Sequence, residues 1–397
     1  PFEFEYPEEV HLRGYQGHHV GNEADVDRAV EAIEKAKRPV ILTGGGVVLS
    51  NMSERLKHIV QHMHVPVVTT LMGKGCVPDT YDAHLGMVGM HGSYAANMAV
   101  TKCDLLVAIG ARFDDRVTGD VENFAPNAQI VHFDIDKVEI NKIVHADISV
   151  NGDLRWSLPL LDEKLAAHET HLADRYSEWR TFVLDMKASH PFATRDLPDA
   201  VSPQKLFEEV QKWTDTIVVT DVGQHQMWAA QFFNLNKPRR FVTSGGLGTM
   251  GYGLPAALGA KLGCPKSKVV LFTGDGSIMM NCQEFATLHK YGVDVKTIVL
   301  HNNVLGMVNQ WQRMFYNGHC AESLIGDNPD LTAVSASMGV PGTAVHKPED
   351  LAKAVENLFK TEGPALLDVF IPADENVYPM VPGGKRLDQM VLGGEEK

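Results

Sequence analysis

The sequence is poor in the features that mark secreted, membrane-spanning or nucleic-acid-binding chains. Its five cysteines, Cys76, Cys103, Cys264, Cys282 and Cys320, are far apart and form no C-x-x-C pair. Neither a disulfide framework nor a zinc knuckle is expected, and a reducing cytoplasm fits best. There is no apolar run of roughly 18 residues or more and no basic-plus-apolar leader, so no membrane partner is expected. Positive charge is in deficit, with 36 Lys and Arg against 50 Asp and Glu and a net charge of −14. That balance argues against nucleic acid or an anionic surface as a partner. G-x-S-x-G, H-E-x-x-H and G-x-x-x-x-G-K-[ST] are all missing, which removes the motif basis for a serine hydrolase, a zinc protease or a P-loop enzyme. His58, His62 and His64 are close together, but on a helix and its exit they are expected to face solvent rather than a metal. The chain does not open on Met, and it reads as the later part of something longer.

What is present is alternation. Apolar residues Val26, Ala29, Val30, Ile33 and Ala36 recur at helical spacing before the apolar run Val40-Ile41-Leu42. The same order of helix and strand returns through 54–68 and 95–109, and a further apolar strand, 130–133, follows. Short, continuous apolar strands alternating with helices predict a parallel sheet covered on both faces, an α/β fold. We expect a lead segment over 1–23, a central α/β domain over 24–165, a linker carrying a surface helix over 166–200, a second α/β domain over 201–370 and a mobile tail over 371–397. Ser202-Pro203 supplies an N-cap and a first-turn Pro for a helix opening the second domain.

The sharpest local signal is a strand, 269–272, ending in Thr273-Gly274-Asp275-Gly276-Ser277. Ser277 is placed to cap a helix expected over 278–291 and stopped by Gly292. The next strand delivers His301-Asn302-Asn303, one βαβ unit further on. Strand C-termini in such a unit are neighbours, so Asp275 and Asn302 should converge on the crevice where open α/β sheets bind ligands. Two hard oxygens without thiolate or imidazole suit Mg²⁺ holding phosphate oxygens. Each piece alone is an ordinary turn; together, at this spacing, they indicate a site.

Gly274-Asp275-Gly276-Ser277 followed by Asn302 resembles the thiamine diphosphate motif of thiamine-dependent enzymes. The stretches 243–257, with Gly248-Thr249-Met250-Gly251, 306–312, with Gly306-Met307-Val308 and Trp311, and 110–119, with Arg112-Phe113-Asp114-Asp115-Arg116-Val117, narrow the resemblance. They are similar to the catalytic large subunit of acetohydroxyacid synthase (acetolactate synthase). The resemblance implies Mg²⁺ held by Asp275, Asn302 and the carbonyl of Val304, and diphosphate contacts from Val222, Gly223, Gln224 and His225. It also implies an aminopyrimidine contact at Gly248, a wedge at Met250 that keeps the cofactor bent, and further cofactor contacts at Leu305, Gly306, Met307 and Val308. Trp311 would line the substrate pocket beside Met307 and favour 2-ketobutyrate, where the plain alternative is a core aromatic.

Thr43-Gly44-Gly45-Gly46 follows the first strand, but the third fingerprint glycine is missing and no acidic residue ends the next strand, so NAD is not expected. The resemblance implies FAD instead. Its matching positions are Gly44, Gly45, Gly46, Thr70, Leu71, Met72, Gly89, Met90, His91, Gly110, Arg112, Asp114, Arg116, Val117, Asp134, Ile135 and Asp153. A carboxylate at the end of strand 130–133 can accept from ribose hydroxyls, and two guanidinium groups can meet a pyrophosphate.

The activity so implied joins pyruvate, with loss of CO₂, to a second 2-keto acid, the cofactor supplying the electron sink. Alternatives are a related thiamine and FAD enzyme, such as a pyruvate oxidase or glyoxylate carboligase, or a non-catalytic nucleotide-binding protein on the same folds. A homo-oligomer and a regulatory small subunit are the implied partners. The family's activating glutamate comes from an N-terminal pyrimidine-binding domain, and Glu3, Glu5, Glu8 and Glu9 sit in a polar lead. The chain is therefore expected to lack that domain and to be inactive alone.

Overall fold

The computed structural model describes residues 3, 5–8, 19–166, 169–192, 195, 197–213 and 215–393. Glu9, most of the expected lead segment and the end of the expected tail lie outside them. Among the described residues twelve strands form two sheets. The first holds β1 (Pro39–Thr43), β2 (Val67–Thr69), β3 (His84–Met87), β4 (Leu105–Ile109), β5 (Gln129–Asp134) and β6 (Ile148–Asn151) in the order β3-β2-β1-β4-β5-β6. The second holds β7 (Thr216–Thr220), β8 (Phe241–Val242), β9 (Lys268–Gly274), β10 (Lys296–His301), β11 (Gly342–Val345) and β12 (Ala365–Phe370) in the order β11-β12-β10-β9-β7-β8. Every pairing in both sheets is parallel.

The central strands are buried along their whole length because helices cover both faces of each sheet. Leu105–Ile109 and Thr216–Thr220 are buried at every residue, which is why they read as unbroken apolar runs rather than as alternation. On the covering helix Glu23–Lys35, Val26, Ala29, Val30 and Ile33 form one buried stripe, and Asn22 caps its start by accepting from the Ala24 N–H. Ser202 caps the helix Pro203–Gln211 in the same way, with Pro203 in the first turn. Among the described residues no helix is long and apolar enough to cross a membrane.

Four short strands, β3, β6, β8 and β11, were not expected. They lie at or beside sheet edges, where burial is incomplete: β6 alternates and β11 is exposed at its centre. Such strands carry no continuous apolar signal.

Residues 166–200, expected as a linker carrying one surface helix, carry two helices, Glu169–Arg175 and Ser177–Ser189. Tyr176 and Trp179 are buried in the first domain, the Tyr176 hydroxyl donating to the Ile33 carbonyl at 2.6 Å and the Trp179 indole to that of Pro39 at 3.0 Å. The mixed charge of this stretch is only the solvent side of helices whose other side is core.

The expected mobile tail is also corrected. Residues 371–393 run back from β12 across the first domain, with Val377, Met380, Val381 and Leu387 buried. Val381 N–H donates to the Met90 carbonyl at 2.8 Å, and Met380 and Val391 exchange both main-chain hydrogen bonds. Val381 and Leu387 belong to the first domain's core cluster, so apolar burial outweighs the Pro and Gly content that suggested mobility. A second tie between domains joins Asp79 and Leu235: the Asp79 N–H donates to the Leu235 carbonyl at 2.9 Å, and the Leu235 N–H donates to the Asp79 carboxylate at 2.7 Å.

Candidate functional site

In the second sheet the chain turns from β7 to its outer neighbour β8, then crosses to β9 on the other side. Ligands of open parallel sheets bind at such a switch point, outside the strand C-termini. β7 exits into Val222-Gly223, β9 into Asp275, and β10 into Asn302. One cleft is lined by Val222, Gly223, Gln224, His225, Met250, Gly274, Asp275, Gly276, Ser277, Asn302, Val304, Leu305, Gly306, Met307 and Val308. These residues, distant in sequence, are brought together as expected, whereas Gly248 sits in an exposed loop beside the cleft.

Asp275 is buried, and its Oδ2 accepts from the Asn303 N–H at 2.8 Å and from Asn328 Nδ2 at 2.7 Å. Burial pushes its carboxyl pKa up, and the nearby His301 charge offsets part of that rise. Asn303 adopts a left-handed conformation, φ +58°, which turns the chain so that Asn302 and Val304 both meet the cleft. Behind this turn, His301 Nδ1 lies 3.0 Å from both Asp368 oxygens, and its Nε2 lies 3.0 Å from Asn303 Oδ1. Burial opposes a charge on His301, but the hydrogen bond and charge of Asp368, with Asp275 beyond, outweigh it and raise the pKa. Among the described residues no three His, Cys, Asp or Glu side chains gather as a metal group. A cation in the cleft would rest on one carboxylate, one carboxamide oxygen and a main-chain oxygen, a hard donor set that fits Mg²⁺.

Gly223 has φ +152°, and a Cβ there would lie 2.8 Å from the His225 ring, so glycine is required where β7 passes into the helix Gln224–Phe232. His225 is buried with its Nε2 unpartnered. Burial holds its pKa down to about 3 despite a hydrogen bond to the Asp221 backbone. An orphaned ring nitrogen beside a helix N-terminus suits an oxygen-rich anion, whose charge would favour the imidazolium and so create a second donor.

Two expectations about the β9 exit fail. Gly274, not Ser277, occupies the cap position, and the Ser277 hydroxyl instead donates to the Val222 carbonyl at 3.2 Å. The single helix expected over 278–291 is two, Asp275–Ile278 and Glu284–Tyr291. Asn281, in the break, donates through its side chain to the Gly251 carbonyl at 2.7 Å, and this tertiary bond interrupts an otherwise helical pattern. The stop at Gly292, φ +61°, is as expected.

Sequence reasoning missed Asp221, although it directly precedes Val222. Its buried carboxylate accepts from Gly251 N–H at 2.9 Å and Gly253 N–H at 3.1 Å, fixing the turn that carries Met250. Asn328 left no sequence signal at all. Trp311 is half-buried and edge-on to Phe315, at the wall of an open cleft of about 680 Å³ that shares Met307 and Val308 with the first. It is not a core aromatic.

The seventeen positions matched to FAD all lie at the C-terminal exits of β1 to β6, around the switch point between β1 and β4. Gly44 and Gly46 serve a packing need there: a Cβ on either would meet Gly110 backbone at 2.2 and 2.7 Å. Arg112 and Arg116 are largely exposed, pairing with Asp114 and Asp115. Asp153 caps the helix Leu154–Leu165 and holds Arg155, while Asp134 accepts from the Asp136 N–H. Met72 and Ile135 are exposed apolar side chains on this same edge. Open guanidinium groups, loop glycines and uncovered apolar surface fit a large flavin nucleotide. Of the three histidines close in sequence, His58 is half-exposed and bonds Asp162 at 2.8 Å, and its ring lies 3.8 Å from that of His62.

Residues 26–161 match the family model described as thiamine pyrophosphate enzyme, central domain, and residues 221–369 match thiamine pyrophosphate enzyme, C-terminal TPP binding domain. The chain is 43% identical over 393 residues to a probable acetolactate synthase large subunit of Methanocaldococcus jannaschii, covering 97% of this chain and 66% of that protein. It is 39% identical over 398 residues to the acetolactate synthase isozyme 3 large subunit of Escherichia coli, covering 99% and 69%. It is 40% identical over 402 residues to acetolactate synthase 1, chloroplastic, of Nicotiana tabacum, covering 98% and 60%. The chain thus spans about two thirds of the length of these curated relatives or somewhat less.

Proposed function

The chain belongs to the acetolactate synthase large-subunit family of thiamine pyrophosphate enzymes, and from that premise we propose that its activity is the decarboxylating condensation of pyruvate with a second 2-keto acid. The observation that carries this reading is the convergence of Asp275, Asn302 and Val304 on the cleft that holds the unpartnered Nε2 of His225. When bound, thiamine diphosphate supplies the electron sink for loss of CO₂. Asp275, Asn302 and the Val304 carbonyl would hold Mg²⁺ against the diphosphate, and Gln224, His225 and the Val222-Gly223 backbone would receive its oxygens. Met250, on the turn fixed by Asp221, is the deformable side chain suited to wedge the cofactor. Trp311 and Met307 would shape the pocket for the second 2-keto acid.

FAD is proposed for the first domain, across the exits of β1, β4 and β5. The relatives' designation as large subunits supports a smaller partner chain and an oligomer, and five free cysteines are compatible with a reducing cytoplasm.

Calorimetric titration of thiamine diphosphate with Mg²⁺, flavin release on denaturation and assay of acetolactate from pyruvate test these assignments together. Failure of thiamine diphosphate to bind with Mg²⁺ present would overturn the reading of the second domain. No released flavin, with NAD rather than FAD raising the melting temperature, would overturn that of the first.

A further inference from the structure

Three side-chain amides stand in series behind the cleft. Gln310 is fully buried on the helix Gly306–Phe315. Its Oε1 accepts from the Val377 N–H at 2.9 Å and from Gln224 Nε2 at 3.0 Å, while its Nε2 donates to the Val377 carbonyl at 3.1 Å. Gln224 Nε2 donates also to the Glu375 carbonyl at 2.8 Å, and Gln224 Oε1 accepts from Asn302 Nδ2 at 3.3 Å. Gly306 clears the space in which the last two amides meet. A Cβ there would lie 2.0 Å from Gln224 Oε1 and 3.1 Å from Asn302 Nδ2.

A carboxamide is nearly symmetric in shape but not in sense, since a half turn exchanges donor and acceptor. The main-chain N–H and C=O of Val377 cannot exchange, so they fix the sense of Gln310. Gln310 then presents an oxygen to Gln224, which presents its own oxygen to Asn302. The nitrogen of Asn302 is thereby held back, and its oxygen, which also accepts from the Val304 N–H at 3.3 Å, is the atom left for the cleft. A hard cation accepts only that oxygen.

We infer that Gln310 is a positioning residue that, clasped by Val377, sets the Asn302 carboxamide with its oxygen toward the cation; this rests on the Mg²⁺ site proposed above. Gln310 lies outside the cleft lining and acts only through Gln224.

The test compares Gln310→Leu with Gln310→Glu in the 397-residue chain, titrating Mg²⁺ in the presence of saturating thiamine diphosphate. Leu removes the relay. Glu keeps the oxygen for Val377 and Gln224 and, when protonated, the donor as well. Partners behind a metal ligand are worth about 10–100-fold in affinity, so Q310L should bind Mg²⁺ at least about tenfold more weakly, with Q310E within about threefold of the parent. Undiminished affinity in Q310L, or equal losses in both variants that track their melting temperatures, would overturn the inference. Asn302→Ala separates the two levels. If N302A binds Mg²⁺ like the parent, or the parent binds none, the cation site itself fails and the inference with it. If N302A loses Mg²⁺ and Q310L does not, only the role of Gln310 fails.

Discussion

At Asp275 the demands of folding and of binding oppose each other. A carboxylate buried there without a cation is costly, which is what its raised pKa expresses. Asp275→Ala should therefore leave the melting temperature of the unliganded chain unchanged or higher while removing Mg²⁺-dependent binding of thiamine diphosphate. A calorimetric affinity equal to that of the parent would contradict the assignment of Asp275 as ligand. Trp311 tests a different property, the preference between second substrates. If its indole contacts the extra methyl of 2-ketobutyrate, one methylene in an apolar pocket is worth about 1–3 kcal/mol, and Trp311→Leu should lower the preference over pyruvate roughly tenfold or more. A competition assay on the active enzyme reads this ratio, and an unchanged ratio would remove Trp311 from the pocket.

Among the elements, the segment after β12 departs most from its sequence pattern. It is rich in Pro and Gly, yet it completes the first domain's core through Val381 and Leu387 and orders three amides of the second domain through Glu375 and Val377. Leu387→Ala should destabilise the chain by about 2–5 kcal/mol, the usual range for emptying a buried leucine site. Urea unfolding measures it, and a loss below about 0.5 kcal/mol, the level of an ordinary surface change, would mean the segment is not core.

For the whole molecule, three buried histidines contribute to the response to acid, in the same sense as the lowered carboxyl of Asp79. Burial holds His84 and His91 down to about 4 and His225 to about 3. Free imidazoles in the unfolded chain titrate near 6.5, so below that pH the unfolded state takes up protons that the folded state refuses. Stability contributed by these groups is complete above about pH 6.5 and is lost as pH falls toward 4, by up to about 1.4 kcal/mol per pH unit for each histidine. The raised carboxyls of Asp221, Asp275 and Glu375 and the raised pKa of His301 work in the opposite sense. His84→Asn, outside both candidate sites, should flatten the decline between pH 6.5 and 5 in denaturant unfolding. An unchanged slope would mean that His84 is not held neutral. The thiols offer a separate check. Cys264 is exposed and should react first with a disulfide reagent, whereas burial pushes the Cys76 thiol up to about 12 and that of Cys103 higher still. Both should react only on unfolding.

The sequence by itself determined the two parallel α/β sheets, because strands buried on both faces read as short continuous apolar runs, and here these alternate with helical stretches. It also determined the pairing of Asp275 with Asn302, because βαβ spacing leaves adjacent strand ends nowhere else to go. It could not supply the edge strands β8 and β11, whose residues are too little buried to leave a pattern, nor the packing of helices 169–189, whose apolar faces are diluted by exposed charge. The break at Asn281, the orphaned His225 nitrogen, the Asp221 clasp on Gly251 and Gly253, and the Val377–Gln310–Gln224–Asn302 series were decided by tertiary structure alone. Each depends on which groups from separate elements meet or fail to meet, and that is a matter of distance and direction in space, neither of which has a period along the chain.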